Sequence, residues 1–570
     1  MSSPDENPPN VADISSSSDP AAGGTLLPPV FSFARLFESQ YLLVVISALG
    51  VIWVGAHGSL RRPPSAAPPK LKKGEKKREE EKFIEGLVAS DAIRFPLMLA
   101  AVLMGLYYLI QWLQDPSILN KILRGYMSIM SIAGLGALAG DALDILTSLV
   151  FPTMWADGKG KVYHIDSHRR CQYVVNKETT EETVIKSKDT PLPGRLSDVK
   201  LSPTMKRFLW ELRHLLTQDW TARLAVFGKT LVKVDFRVND LLRFAIAGLT
   251  AAAYHWTGWD ALSNLLSMAM CYFSFLTFSP TSFTIGTMVL ASLFIYDIVM
   301  VFYTPYMITV AKKIDAPIKL VFTGAKGASM LGLGDIVVPG MLMALALRFD
   351  LFQYYQRQIR LEPVELMTET ASGTPTTTTT QNRRIKAPYV DTRGQWGNRF
   401  WTTPLGRLSP VRAATAAISA TAFPKPYFYA SVVGYAAGML VTLTVMLVFN
   451  HGQPALLYLV PGVTGSLWLT GFVRGEIKDM WNYTEDGSLD TEDVIVVVEL
   501  DADGNVVKEN KEKENGTEKE GKKSESERVQ ETASKDKETG QRGEADATTT
   551  GHHELFLLSI TAPRAVASAS

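Results

Sequence analysis

"SFTIGTMVLASLFIYDIVMVFY" (282–303) carries a single charge, Asp297, inside a run otherwise fit for lipid. About 20 apolar residues are what a helix needs to cross the hydrocarbon core of a bilayer. A carboxylate within such a run is costly, and where a chain keeps one it marks a functional position by default. The next run, "MLGLGDIVVPGMLMALAL" (330–347), repeats the pattern with Asp335.

Working outward, comparable runs stand at 41–57, 92–112, 126–151, 241–256, 261–278, 282–303, 329–347, 428–449 and 453–472. These predict an all-α, polytopic membrane protein of about nine transmembrane helices. Only "TGWD" parts 241–256 from 261–278, so a single broken helix there changes the count by one. The chain has 570 residues, 46% of them hydrophobic, and a formal charge of +1. That balance argues against nucleic acid as a partner and makes the bilayer the first one. Two cysteines, Cys171 and Cys271, give neither a disulfide framework nor a zinc spacing.

Residues 1–40 form a polar segment with Arg35 as its only basic residue, so the first span reads as a retained anchor. Basic residues crowd "RRPPSAAPPKLKKGEKKREEEK" (61–82), 152–240 and 348–427, and are sparse in "TGWD" and "NHGQ". This alternation places the N-terminus outside the cytosol and the C-terminus within it. "AKKIDAPIKL" (311–320), with three lysines, runs against that solution. The expected organisation is an exoplasmic segment 1–40, then spans one to six over 41–303 with a long cytosolic loop at 152–240. Spans seven to nine follow over 304–472 with an insert at 351–425, and then a cytosolic tail at 473–570. The charged stretch 500–550, poor in aromatics, cannot bury a core and gives the tail its disordered character. "LFLLSI" late in the tail is too short to span, and "SGTPTTTTTQ" (372–381) is low-complexity.

Asp91, Arg94 and Arg243 fall at span ends. Asp141 and Asp144, in "AGDALDIL", lie inside the third span, where polar glue between helices or an ion pathway are the two readings. Asp297 and Asp335 sit on consecutive and therefore antiparallel spans, about six residues from the shared face. At about 1.5 Å per residue, both lie ~9 Å below it. Gly332 and Gly334 leave room beside Asp335 for a neighbouring backbone. Pro339 has no amide hydrogen, so the carbonyl of residue 335 lacks its helical partner and calls for a small wet cavity. Two close carboxylates in low dielectric share a proton, one serving as base and the other as acid. Such a pair hydrolyses an amide without metal, cofactor or covalent intermediate.

Three motifs carry a family resemblance: "YD" at Tyr296–Asp297, "GLGD" at Gly332–Asp335 and "QPAL" at Gln453–Leu456. Around them stand "ASDAIRFP" (89–96), "VAKKIDAPIKLVF" (310–322), "LGLGDIVVPGMLMALALRFD" (331–350) and "QPALLYLVPG" (453–462). The chain resembles the signal peptide peptidases, GxGD-type intramembrane aspartyl proteases related to presenilin. The resemblance implies a presenilin-like bundle with Asp297 and Asp335 as the catalytic pair. Tyr296, Gly332 and Gly334 would shape the site, and Pro454, Ala455 and Leu456 would line it on the substrate side. It implies transmembrane peptide substrates, such as leftover signal peptides and type II or tail-anchored segments, in the endoplasmic reticulum membrane. A second copy of the chain and the machinery that degrades membrane proteins are further partners it admits. The segment 304–328 lacks the long polar loop of presenilin, so an intact enzyme is expected, whereas the 351–425 insert and long tail exceed the family pattern.

No HExxH or GxSxG occurs, and His164, His168 and Cys171 in "HIDSHRRC" read as a solvated loop. A transporter or channel using Asp297 and Asp335 as a cation site is the rival class, and a scaffold escorting membrane proteins is a third. The Pro-Ala-Leu turn and the matched depth of the two acids favour hydrolysis.

Overall fold

The computed structural model describes residues 39–489, with interruptions of which 69–84 and 404–419 are the longest. Beyond these it describes only 497–500, 506–510 and 556–561. Expectations for 1–38 and for most of 500–550 lie outside the described residues.

A helix covers most of each of the nine apolar stretches. The helices are α1 (Ser39–Gly58), α2 (Asp91–Leu113), α3 (Pro116–Val150), α4 (Val238–Thr257), α5 (Asp260–Thr277), α6 (Phe283–Phe302), α7 (Leu333–Gln356), α8 (Pro426–Phe449) and α9 (Leu456–Arg474). Among the described residues six of them, α1, α2, α3, α6, α8 and α9, are long and apolar enough to cross a membrane. The other three carry more polar side chains: Asp240 and Arg243 in α4, Asp260 and Asn264 in α5, and Asp335, Arg348 and Asp350 in α7. The stretch over 241–278 is two helices. Gly258 ends α4 in the left-handed region at φ 62°, a conformation glycine adopts without penalty, and the chain turns back at Trp259.

α7 is the centre of the bundle. It packs against α1, α5, α6, α8 and α9, and it is buried without interruption from Pro339 to Leu351. From Pro339 to Leu347 it is apolar on all sides, as such a place requires, and the buried Arg348 and Asp350 follow at its far end. α2 is the opposite case: Ile93, Leu97, Val102 and Trp112 are exposed along it, as on a helix that faces hydrocarbon. α8 and α9 cross through glycines. A side chain at Gly438 would put its Cβ 2.7 Å from the Tyr458 carbonyl, so only a residue without one permits the approach.

Asp141 and Asp144 of α3 are used between helices. The Tyr272 hydroxyl of α5 donates to Asp141, and Asn239 Nδ2 of α4 donates to Asp144 at 2.9 Å. Both contacts are those of polar glue inside a bundle.

The bundle is helical, as expected, and the connections add short strands. Between α3 and α4, β1 (Met154–Ala156), β2 (Val162–Asp166), β3 (Cys171–Val175) and β4 (Glu182–Val184) form an antiparallel meander. Alternating β-branched and aromatic residues favour strands there. The meander buries Trp155, Tyr163 and Ile165 with Trp210 of the helix Pro203–Thr217. Next come β5 (Trp220–Val226) and β6 (Lys229–Phe236), with the segment Phe556–Thr561 paired antiparallel to β5. The insert is stitched to the bundle: Asn398 Oδ1 accepts from the amides of Thr153 and Met154, and Trp401 Nε1 donates to the Leu149 carbonyl at 2.8 Å.

The stretch 329–332, expected to open the seventh span, is strand. β7 (Lys319–Gly324) and β8 (Gly327–Gly332) form a hairpin, and α7 begins only at Leu333. The tail also differs from expectation at its start. Residues 476–485 fold back against the bundle, with the Glu485 side chain buried.

Candidate active site

Ser282 opens α6 by accepting the Ile285 amide on its hydroxyl, and the apolar run then continues to Phe302. Asp297 falls five residues before that end and is 3% exposed. Its partner comes from another helix. Pro454 precedes α9 and Ala455 is its N-cap, so the first amides of that helix have no acceptor within it. Those of Leu457, Tyr458 and Leu459 find the carbonyls of Pro454 and Ala455. The Leu456 amide instead donates to Asp297 Oδ2 at 3.1 Å. Pro454 and Leu456 are buried and Ala455 is half-buried, so the Pro-Ala-Leu turn lies directly on the first aspartate.

Asp335 is the third residue of α7, with Gly332 as N-cap. From there its carboxyl faces back toward the Gly332 amide. The late start of α7 corrects the depth argument: Asp335 stands in the first helical turn, at the end of a strand, rather than six residues into a span. It is half-buried. α6, α7 and α9 touch one another in pairs, and the Asp335 carboxyl lies within the field of Asp297. The two acids thus share one feature: each meets a backbone amide at the start of a helix. Such ends carry partial positive charge and favour an anion.

Gly332 and Gly334 differ. A Cβ at 332 would lie 3.3 Å from Asp335 Oδ2, tighter than ordinary contact, whereas Gly334 is exposed with nothing within 4 Å. Among the described residues no neighbouring backbone stands beside Gly334, where one was expected. Tyr296 is half-buried next to Asp297.

Three features escaped the sequence. The carbonyl of Asp335, orphaned by Pro339, is met by the Tyr435 hydroxyl of α8 at 3.3 Å. Nothing in "GYAAG" (434–438) marks this tyrosine out from the sequence. Asn264 of α5 grips β7 from its outer side: its Nδ2 donates to the Val321 carbonyl at 2.7 Å and its Oδ1 accepts the Val321 amide at 2.8 Å. The hairpin itself was hinted at by "FTGAKGA", two glycines around a lysine. Elsewhere, His164 stacks on Tyr173 at 5.4 Å, and His168 lies outside the described residues.

A family model described as "Signal peptide peptidase" matches residues 77–487. "Intramembrane protease 2" of Caenorhabditis elegans is 31% identical over 276 residues, 46% of this chain and 46% of that protein. "Signal peptide peptidase" of Homo sapiens is 28% identical over 272 residues, 46% of this chain and 53% of that protein. "Signal peptide peptidase-like 3" of Arabidopsis thaliana is 26% identical over 298 residues, 49% of this chain and 42% of that protein. The chain spans about half the length of these relatives.

Proposed function

The chain belongs to the signal peptide peptidase family, and on that premise we propose that it is an intramembrane aspartic endopeptidase whose Asp297 and Asp335 activate water. One observation carries the reading. Two acids on neighbouring helices of an apolar bundle are each held by a helix-start amide, Asp297 by Leu456 and Asp335 by Gly332. Carboxylates so placed share one proton, the logic of every aspartic-protease dyad. The ionised member takes a proton from water as its oxygen attacks the peptide carbonyl. The protonated member donates to the carbonyl oxygen and, as the C–N bond breaks, a proton passes to the leaving amine. The ends of α7 and α9 stabilise the net negative charge that the pair keeps throughout.

A helical substrate hides its scissile carbonyl in its own hydrogen bonds and must be drawn out straight. The hairpin supports this step. Asn264 pins the outer edge of β7, while among the described residues β7 is the only strand paired with β8. Among the described residues no strand pairs with the other edge of β8, and β8 runs directly into the start of α7 and Asp335. An extended substrate segment adds to that edge and meets the Pro-Ala-Leu turn, with Pro454, Ala455 and Leu456 on one side and Tyr296, Gly332 and Gly334 on the other. The substrates are membrane-spanning peptides such as spent signal peptides and type II or tail-anchored segments. The setting is the endoplasmic reticulum membrane, with the N-terminus lumenal and the tail cytosolic.

The test is single replacement of Asp297→Asn or Asp335→Asn, read on a reporter transmembrane peptide in detergent or liposomes. Each variant is expected to lose cleavage by at least about 10³-fold, the scale on which paired catalytic groups act. Cleavage surviving in either variant would rule out the dyad, and ion flux in a variant that cannot cleave would support transport instead.

A further inference from the structure

The most elaborate polar cluster in the molecule lies far from the two aspartates, at the opposite end of the same helices. The segment after α9 folds back there. The Glu485 side chain is 6% exposed, and Oε1 accepts from Arg348 Nε of α7 at 2.8 Å and from the Tyr483 hydroxyl at 2.9 Å. Its Oε2 takes the Ser279 hydroxyl at 2.9 Å and the guanidinium of Arg61, just past α1. Arg348 spends its remaining donors on Ser59 Oγ at 2.9 Å and Ser279 Oγ at 2.6 Å. The backbone joins in: the Glu485 amide donates to the Thr281 carbonyl at 2.8 Å, and Thr484 bridges to Ser282, the N-cap of α6. One turn away, Glu476 accepts from Gln353 Nε2 of α7 and from the Tyr427 hydroxyl of α8.

One short segment therefore grips the start of α6, the far half of α7 and the ends of α1 and α9. The helices it joins carry Asp297, Asp335 and the Pro-Ala-Leu turn. Arg348 is thirteen residues along α7 from Asp335, and Ser282 is fifteen before Asp297. At about 1.5 Å per residue these are arms of roughly 20 Å. A tilt of about 3° at the grip moves the far end of such an arm by ~1 Å, enough to cost about 10²-fold in rate.

We propose that Glu485 and Arg348 are positioning residues, whose ion pair sets the tilt and register of the two aspartate helices and so the geometry of the site. This rests on Asp297 and Asp335 being the reacting acids. Neither Glu485 nor Arg348 touches substrate. A pair this buried is not needed for stability alone, since well-packed apolar residues of similar volume commonly replace such pairs without loss.

The experiment uses the full chain in two backgrounds, Glu485→Gln and the double replacement Arg348→Met with Glu485→Met. Thermal unfolding reports the fold. Steady-state cleavage of the reporter peptide separates kcat from KM. Spin labels at Tyr303→Cys and Met330→Cys, both exposed near the site ends of α6 and α7, report helix separation once Cys171 and Cys271 are replaced by serine. The double variant is expected to unfold near the parent temperature, with kcat down at least tenfold, KM within twofold and the label distance shifted or broadened. Parental kcat in a folded variant, or activity that merely tracks the folded fraction, overturns the proposal. If Asp335→Asn still cleaves, the dyad falls; the label distance still tests the mechanical coupling by itself.

Discussion

Pro339 sits one turn into α7, and its consequence is felt four residues earlier, at the carbonyl of Asp335. No amide follows to pair with it, and the phenol of Tyr435 takes its place at 3.3 Å. Tyr435 is fully buried, so no water can substitute freely. Removing only that hydroxyl leaves the carbonyl without its buried partner, at a cost of about 1–3 kcal/mol. Tyr435→Phe is therefore expected to lower the unfolding free energy by that amount. Pro339→Ala restores an amide at the right position, so the same Phe replacement should cost much less in that background. A double-mutant cycle by denaturant unfolding in detergent measures the difference; additive effects would mean that the tyrosine does not serve this carbonyl. At this scale the sequence was most informative. Asp297, Asp335 and Pro454 could be singled out because charge and proline in an apolar run break a local rule. Tyr435 could not, because a tyrosine in a span breaks none and its partner lies 100 residues away.

Elements were legible where periodicity and length agreed, and misread where both were short. The stretch 329–332 was absorbed into a span because its apolar residues continue into α7, and hydropathy cannot tell strand from helix over four residues. What makes it a strand is tertiary. Asn264 offers both a donor and an acceptor to Val321, and Ser267 adds a hydroxyl to the Lys319 carbonyl at 3.3 Å, so α5 stands in for a third strand. Asn264→Ala leaves the Val321 amide and carbonyl without these partners. We expect it to raise KM for the reporter peptide severalfold, with kcat less affected, because the hairpin proposed to receive substrate is loosened while the two acids keep their own surroundings. Faster hydrogen exchange at Val321 would accompany it. An unchanged KM would mean that the hairpin's pinned edge has no part in substrate capture. Asn264→Asp keeps the acceptor for the Val321 amide and should fall between the two.

At the scale of the molecule, the division into apolar bundle and polar connections was plain from composition, while the way the connections close the bundle was not. Arg348 looks like a span-end charge and Glu485 like part of a solvated tail; only folding brings them together across 137 residues. That closure predicts a pH dependence of stability. Burial alone would push the Glu485 carboxyl up, but the Arg348 and Arg61 guanidiniums overcome this and hold it below the usual carboxylate range. Burial also works against Glu476, yet hydrogen bonds from Arg474, Gln353 and Tyr427 bring it down to about 2. A carboxyl whose folded pKa is depressed binds its proton more readily in the unfolded chain. It therefore contributes stability above its unfolded value, near 4.5, and loses it as pH falls through the folded value. The melting temperature in detergent should be flat from pH 7 to about 5.5 and then fall steadily below about 4.5, the window set by the unfolded carboxylate. Glu476→Gln should melt lower at neutral pH but show a shallower acid limb, since one of the protons that drives unfolding is gone. If the variant's acid limb were as steep as the parent's, the carboxylates that clasp the bundle's end would not be what acid undoes.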